Sequence, residues 1–324
     1  MKFAGIIAEY DPFHNGHAWQ LAQAKALGAE RVAVAMSCSL VQRGALPLLP
    51  EAVRTRSALT CGADLVFALP APCACAGAEA FARAGVALLA AAGCDGLVFG
   101  AETPDAALLM EAAELLDSGS YRAALKAQLA GGARSFAAAR QAAAAKLASD
   151  ERVAALLDKP NNNLAVEYCR AIRSLAPRME AYPLPRQGAN HGEALQSAHG
   201  QFSSASALRK LWAEGGADAV APYVPEAVFP LYQEAYAAGQ YTDFSAAGRC
   251  ELALLRSACR GKAPFADIRG VSEGLEHRLE AAVRTSTTYD ELLDALTTVR
   301  YPRARMRRLA MDAALGFTAD SLPA

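Results

Sequence analysis

Net charge, metal-type cysteine pairs, long apolar runs and aromatics are all scarce in this chain, and each scarcity excludes something. The 32 lysines and arginines nearly cancel 33 aspartates and glutamates, leaving a formal charge of −1. No global pull toward nucleic acid follows, so any RNA-binding surface must be a local patch. The eight cysteines form no C-x-x-C pair and have no histidine at zinc-finger spacing, so neither a metal site nor a disulfide framework is indicated. They read as small core residues or plain thiols. The longest apolar stretch, Ala84 to Ala92, is too short to span a bilayer. Glu9 interrupts the N-terminal apolar run too early for a signal peptide. A soluble, cytoplasmic protein without a membrane partner is expected. Aromatics make up only 7% of the residues, and alanine inflates the hydrophobic fraction of 53%, so much of the chain should be helical.

What is present concentrates near the N-terminus. Phe3 to Ala8 reads as a short buried strand. It breaks at Asp11-Pro12, where proline cannot continue a ladder. His14-Asn15-Gly16-His17 then opens a helix through Ala26. Gly16 permits close approach of a ligand to the backbone, and a helix start offers unpaired N–H groups and a positive dipole end. Two histidines three residues apart stack on one turn and both face a bound anion. Together these make a triphosphate cradle.

Residues 1 to 100 alternate apolar runs (Phe3–Ala8, Arg31–Met36, Asp64–Leu69, Gly96–Phe99) with helical patterns (His17–Leu27, Glu51–Cys61, Ala76–Ala92). That alternation predicts an α/β fold, a parallel sheet with helices on both faces and ligands at the carboxyl ends of its strands. Residues 103–158 are alanine-rich and read as two or three packing helices with a break at Gly131-Gly132. From Val220 onward the pattern is helical, with Pro222, Pro225 and Pro230 marking a boundary. The expected division is 1–219, carrying the helical insertion at about 103–158, and a helical part over 220–324.

The string Ala8-Glu9-Tyr10-Asp11-Pro12-Phe13-His14-Asn15-Gly16-His17 resembles the A-E-Y-N-P-F-H-N-G-H opening of the tRNA(Met) cytidine acetate ligase family, in the HIGH-type nucleotidyltransferase superfamily. Further blocks are similar along nearly the whole chain: Met36–Gly44, Gly62–Pro70, Leu97–Glu102, Asn161–Tyr168, Arg186–Gly192, Ser203–Arg209, Gly274–Arg278 and Arg300–Arg308. Asp11, Cys38, Ser39 and Ala68 depart from the family's residues, Asn190 stands where tyrosine is usual, and family chains generally continue past the point where this one stops, at Ala324.

The resemblance implies a Rossmann-like nucleotidyltransferase sheet followed by an α-helical, tRNA-binding C-terminal part. It implies an ATP-dependent ligase that forms acetyl-adenylate, releases pyrophosphate and acetylates the wobble cytidine of elongator tRNA(Met). The catalytic pair would be His14 and His17. ATP would lie against Ile7, Ala8, Glu9, Tyr10, Asp11, Pro12, Phe13, Asn15, Gly16 and Gln20. Gly100 and Asn161 would hold the adenosine, and Arg186, Ser206 and Arg209 the phosphates, with Mg2+ expected. Arg300, Arg303 and Arg307, expected on one helical face, would meet tRNA. Two other readings stay open: an adenylyltransferase acting on a phosphorylated small molecule, and a relative that binds RNA or nucleotide without turnover.

Overall fold

In a computed structural model, residues 1–133, 135–185, 195–197, 200–261 and 263–322 are described. Five parallel strands in the order β3-β2-β1-β4-β5 form the central sheet. They are β1 (Phe3–Ala8), β2 (Arg31–Ser37), β3 (Leu65–Leu69), β4 (Gly96–Ala101) and β5 (Glu180–Pro185). Helices α1 (Asn15–Ala26), α2 (Glu51–Thr60), α3 (Ala71–Ala74) and α4 (Ala78–Ala91) connect the first four strands. The chain leaves β1 toward β2 and β3 on one side and returns to β4 and β5 on the other. The carboxyl ends of β1 and β4 therefore flank a topological switch point, where open parallel sheets bind ligands.

Successive side chains of a strand point to opposite faces, and β1 shows how this divides the core. Phe3 and Ile7 join one apolar cluster with Leu97, Phe99 and residues of α4. Ala4 and Ile6 join the other, with Val32, Val34 and Leu21 of α1. The first cluster is completed by α5 (Ala106–Asp117), α6 (Gly119–Ala130), α7 (Phe136–Leu147), α8 (Glu151–Leu156) and α9 (Pro160–Leu175). Four helices, not two or three, thus occupy the alanine-rich stretch, with Gly131-Gly132 separating α6 from α7. Small side chains let these helices pack closely enough for four to fit there.

Strand β5 has no strand-like pattern in the sequence. It runs Glu-Ala-Tyr-Pro-Leu-Pro on the sheet edge, where prolines that cannot donate to a ladder are tolerated. A small antiparallel hairpin, β6 (Leu195–Ser197) with β7 (Gly200–Phe202), precedes α10 (Ala205–Val220) and α11 (Phe229–Ala237). The cluster beside α1 continues through Val220, Val224, Val228, Tyr232 and Ala235. A separate cluster starts at Leu252 and unites α12 (Phe244–Ala258), α13 (Leu275–Thr285), α14 (Tyr289–Leu296) and α15 (Arg303–Leu315).

One guanidinium ties this helical half to the sheet half. Arg269 donates to the carbonyls of Pro72 at 2.6 Å and Cys75 at 2.8 Å, and pairs with both Asp312 oxygens. Among the described residues no helix is long and apolar enough to cross a membrane.

Candidate active site

The turn after β1 is built by its own side chains. His14 is the N-cap of α1: its Nδ1 accepts from the Gly16 N–H at 3.0 Å, while His17 Nδ1 accepts from the His14 N–H at 3.3 Å. Two imidazoles thus do what a serine–glutamate capping box does elsewhere. Their rings stack with centroids 3.8 Å apart and planes 20° from parallel. With each Nδ1 accepting, the ring N–H of the neutral imidazole lies on Nε2. Gly16 is required here for a reason the sequence did not give: a Cβ would sit 2.9 Å from the His14 ring. Tyr10, buried at φ 50, packs edge-on against both Phe13 and His17 at 4.8 Å and steadies the pair from behind.

The turn opens onto a cleft of about 1710 Å3, beyond the 300–1,000 Å3 typical of a single small-ligand site. Ile7, Ala8, Glu9, Tyr10, Asp11, His14, Gly16, His17 and Gln20 line it, as do Gly100, Asn161, Ser206 and Arg209 from β4, α9 and α10. Three members of the expected ATP-contacting segment are not in the lining. Pro12 and Phe13 are buried, the Asp11–Pro12 peptide being cis, and buried Asn15 donates to the Pro222 carbonyl at 3.3 Å. Arg186 lies outside the described residues, as do Asn190 and His191.

Several expected ligand-binding groups hold each other in place. Arg209 Nη1 donates to the Asp11 carbonyl at 2.6 Å and to its carboxylate at 3.0 Å. The second Asp11 oxygen accepts from the Leu48 N–H at 2.6 Å. Gln20 donates to the Val98 carbonyl at 3.1 Å, pinning α1 to β4. Ser204 caps α10, and its hydroxyl lies 3.2 Å from that of Ser206. None of the three successive asparagines caps α9; Lys159 occupies that position and Pro160 the first turn. Instead Glu102, just past β4, accepts from the Asn161 side chain at 2.6 Å and from the Asn162 N–H at 2.6 Å. A carboxylate at a helix start is favourable, and this one fixes the Asn161 amide at the cleft wall.

Two further charged groups shape the site: Arg54, which carries no signal in the sequence pattern, and Glu9 of the expected nucleotide-contacting segment. Arg54, fully buried on α2, donates to the carbonyls of Leu49 at 2.9 Å, Glu9 at 2.7 Å, Ser37 at 2.6 Å and also Cys38. One guanidinium therefore gathers the ends of β1 and β2 and the loop beyond. Desolvation pulls its pKa down, while Asp11 and Cys38 push it back. Glu9 accepts from the Gln42 N–H at 2.6 Å; desolvation raises its carboxyl above the usual range, the Gln42 bond lowers it, and nearby Asp11 raises it further.

Another part of the wall comes from the helical half: Glu251 of α12, Tyr289 of α14 and Arg307 of α15 all line the cleft. The loop after β2 meets α15 at Gly44, whose φ of 72° and absent Cβ allow contact with the Arg307–Arg308 backbone. The expected single face of Arg300, Arg303 and Arg307 does not form. Arg300 precedes α15 and pairs with Glu273 at 2.6 Å, while Arg303 pairs with Asp290 at 2.7 Å and with Asp294. Of the three, only Arg307 lines the cleft.

A doubly flanked parallel sheet with a histidine-capped helix start at its switch point defines a nucleotidyltransferase of the HIGH class. Residues 1–324 match the family model described as HIGH Nucleotidyl Transferase. A tRNA(Met) cytidine acetate ligase of Acetivibrio thermocellus is 34% identical over 99% of this chain and 79% of its own length. Another, of Syntrophotalea carbinolica, is 36% identical over 96% of this chain and 73% of its own. Thermotoga maritima TmcAL superposes with a TM-score of 0.88 when bound with alpha-thio ATP and 0.90 as the apo form. Sequence identities are 29% and 30%, and the two cover 99% of this chain and 76% and 77% of theirs. The chain belongs to the tRNA(Met) cytidine acetate ligase family.

Proposed function

We infer that this chain is an ATP-dependent ligase that activates acetate as acetyl-adenylate and transfers the acetyl group to the wobble cytidine of elongator tRNA(Met). The observation that carries this reading is the stacked His14–His17 capping pair at the mouth of the β1/β4 crevice. An exocyclic cytosine amine is a poor nucleophile, so the acetate must first become a good acyl donor. An acetate oxygen attacks the α-phosphorus of ATP in line, and the bond to the β-phosphate breaks as pyrophosphate leaves. His14 and His17 stabilise charge developing on the phosphate oxygens through a preset pair of donors, not by covalent attack.

Arg209 uses Nη1 on Asp11, which orients the rest of its guanidinium toward the β- and γ-phosphates alongside Ser206; the family resemblance assigns Arg186 to the same phosphates. Gly100 and Asn161 hold the adenosine, the latter through an amide oriented by Glu102. Among the described residues no three His, Cys, Asp or Glu side chains gather as a metal cage. A Mg2+ ion would be held chiefly by the phosphate oxygens and water and would neutralise their charge. In this reading the sheet half, whose core continues through α11, activates acetate, and the helices from α12 onward present the tRNA. Arg300 and Arg303 sit in exposed ion pairs that contribute little and so exchange readily for backbone phosphates.

ATP–pyrophosphate exchange with and without acetate, followed by labelled acetate transfer to total tRNA, tests the assignment. Acetate-dependent exchange and labelled tRNA are expected. Exchange with phosphorylated metabolites alone would point to an adenylyltransferase, and none at all to a binding protein without turnover.

A further inference from the structure

The reaction has two halves, and the residues discussed so far serve the first. Transfer requires the target amine to be held against the acetyl carbon and to lose a proton. Another part of the wall of the same cleft carries unspent groups of the right kind. Glu251 is nine-tenths buried, and its Oε1 accepts from the Tyr289 hydroxyl at 2.6 Å, which fixes the carboxylate's orientation. Its Oε2 takes no hydrogen bond among the described residues. Arg307, one helix away, makes no ion pair or hydrogen bond among them either, although its charge acts on Glu251. All three residues line the same cleft as His14, His17 and Arg209. Its size leaves room for a second ligand beside a nucleotide.

We propose that Glu251 and Arg307 form the seat of the target cytosine: Glu251 Oε2 accepts from the exocyclic amine and takes its proton, while Arg307 donates to the ring's N3 and O2. The pairing follows cytosine's own pattern, an amine donor beside two acceptors, and a carboxylate is the group that reads that amine. Uracil would present a carbonyl oxygen to the same carboxylate and be repelled. In the transfer step the amine nitrogen attacks the acetyl carbonyl carbon. The bond from that carbon to the AMP oxygen breaks, its electrons leave with AMP, and the N–H proton passes to Glu251.

The electrostatics agree with the geometry. Burial raises the Glu251 carboxyl to about 7, with the Tyr289 hydrogen bond and the Arg307 charge opposing. Cys75, close enough for the Glu251 charge to act on it, has its thiol pushed up chiefly by its own burial. A base poised near neutrality suits proton removal at working pH.

The proposal rests on the acetate-ligase reading, and its test separates the two. The full chain and its Glu251→Gln, Glu251→Asp and Tyr289→Phe variants would be compared in three assays. These are acetate-dependent ATP–pyrophosphate exchange, acetyl transfer to elongator tRNA(Met) transcript, and competition by a transcript carrying uridine at the wobble position. For Glu251→Gln, exchange should stay within about threefold while transfer falls by roughly 10²-fold or more. The preference for wobble cytidine over uridine, roughly tenfold at least in the parent, should vanish because glutamine's amide can donate to uracil. Glu251→Asp should restore part of the transfer, and Tyr289→Phe should move the pH midpoint of transfer. Transfer within threefold of the parent in Glu251→Gln would overturn the proposal, as would equal losses in both halves or an unchanged base preference. Absence of exchange in the parent protein would instead remove the ligase reading beneath it.

Discussion

Replacing Arg54 by methionine removes the donor that holds four backbone carbonyls at the base of the cleft, those of Glu9, Ser37, Cys38 and Leu49. It also strips Asp11 and Glu9 of a buried counter-charge. Each stranded carbonyl costs about 1–3 kcal/mol if it stays dry, but methionine keeps the packing and the loop can relax. Removal of one partner from a buried charge network costs about 3–5 kcal/mol, so about 4 kcal/mol is expected in all. For a unit of this size that corresponds to a melting temperature lower by about 8–16 °C. The functional loss should be larger than stability alone explains. A shift of about 1 Å at the end of β1 displaces the histidine turn and costs about 10²-fold in exchange at a temperature where the variant remains folded. Arg54→Lys keeps the charge but not the planar fork, and should lose about half as much stability. Circular dichroism melts and acetate-dependent exchange measure both effects. A methionine variant within 1 kcal/mol of the parent, or one with undiminished exchange, would refute the view that Arg54 organises the site.

Three further outcomes are expected. His14→Ala should lower exchange by about 10²–10³-fold and cost about 1 kcal/mol of helix capping; His14→Asn should recover the stability in thermal melts without recovering the exchange. Gly44→Ala would place a Cβ 2.6 Å from the Arg308 backbone at φ 72° and should cost about 2 kcal/mol or more, read as a lower denaturant midpoint. The raised Glu251 acid means that the folded chain holds a proton the unfolded chain releases, which favours folding at low pH. That contribution is lost as pH climbs from about 4.5 through about 7, so Glu251→Gln should gain on the parent by up to about 3 kcal/mol at pH 8 and not at pH 4, by denaturant unfolding.

What could be read in advance was local. The span of β1, the histidine turn and the β/α alternation follow from hydrophobic period and turn chemistry, which act between near neighbours. Strand β5 carries two prolines and no β-branched residue, so only its place at the sheet edge makes it a strand. Arg54 stands among ordinary polar residues of a helix, and the carbonyls it serves come from three separate segments. Glu102 looks like a loop residue until α9, 59 positions later, docks its start against it. Arg300 departed from the expected stripe because α15 begins only at Arg303. Glu251 gave no signal at all: its surroundings come from three helices and from the cleft they share with the sheet.

Arg269 sets a limit on how freely the two halves can be exchanged. Its guanidinium plane is met on one side by carbonyls from the Pro72–Cys75 turn and on the other by Asp312, so neither side fits without the other. A chimera that borrows its C-terminal helices from a relative should assemble only when the donor offers a matching arginine–aspartate pair and the host turn aims its oxygens alike. Compatibility between swapped parts would thus hinge on a few atoms at the seam, and overall sequence likeness would be a poor guide to it.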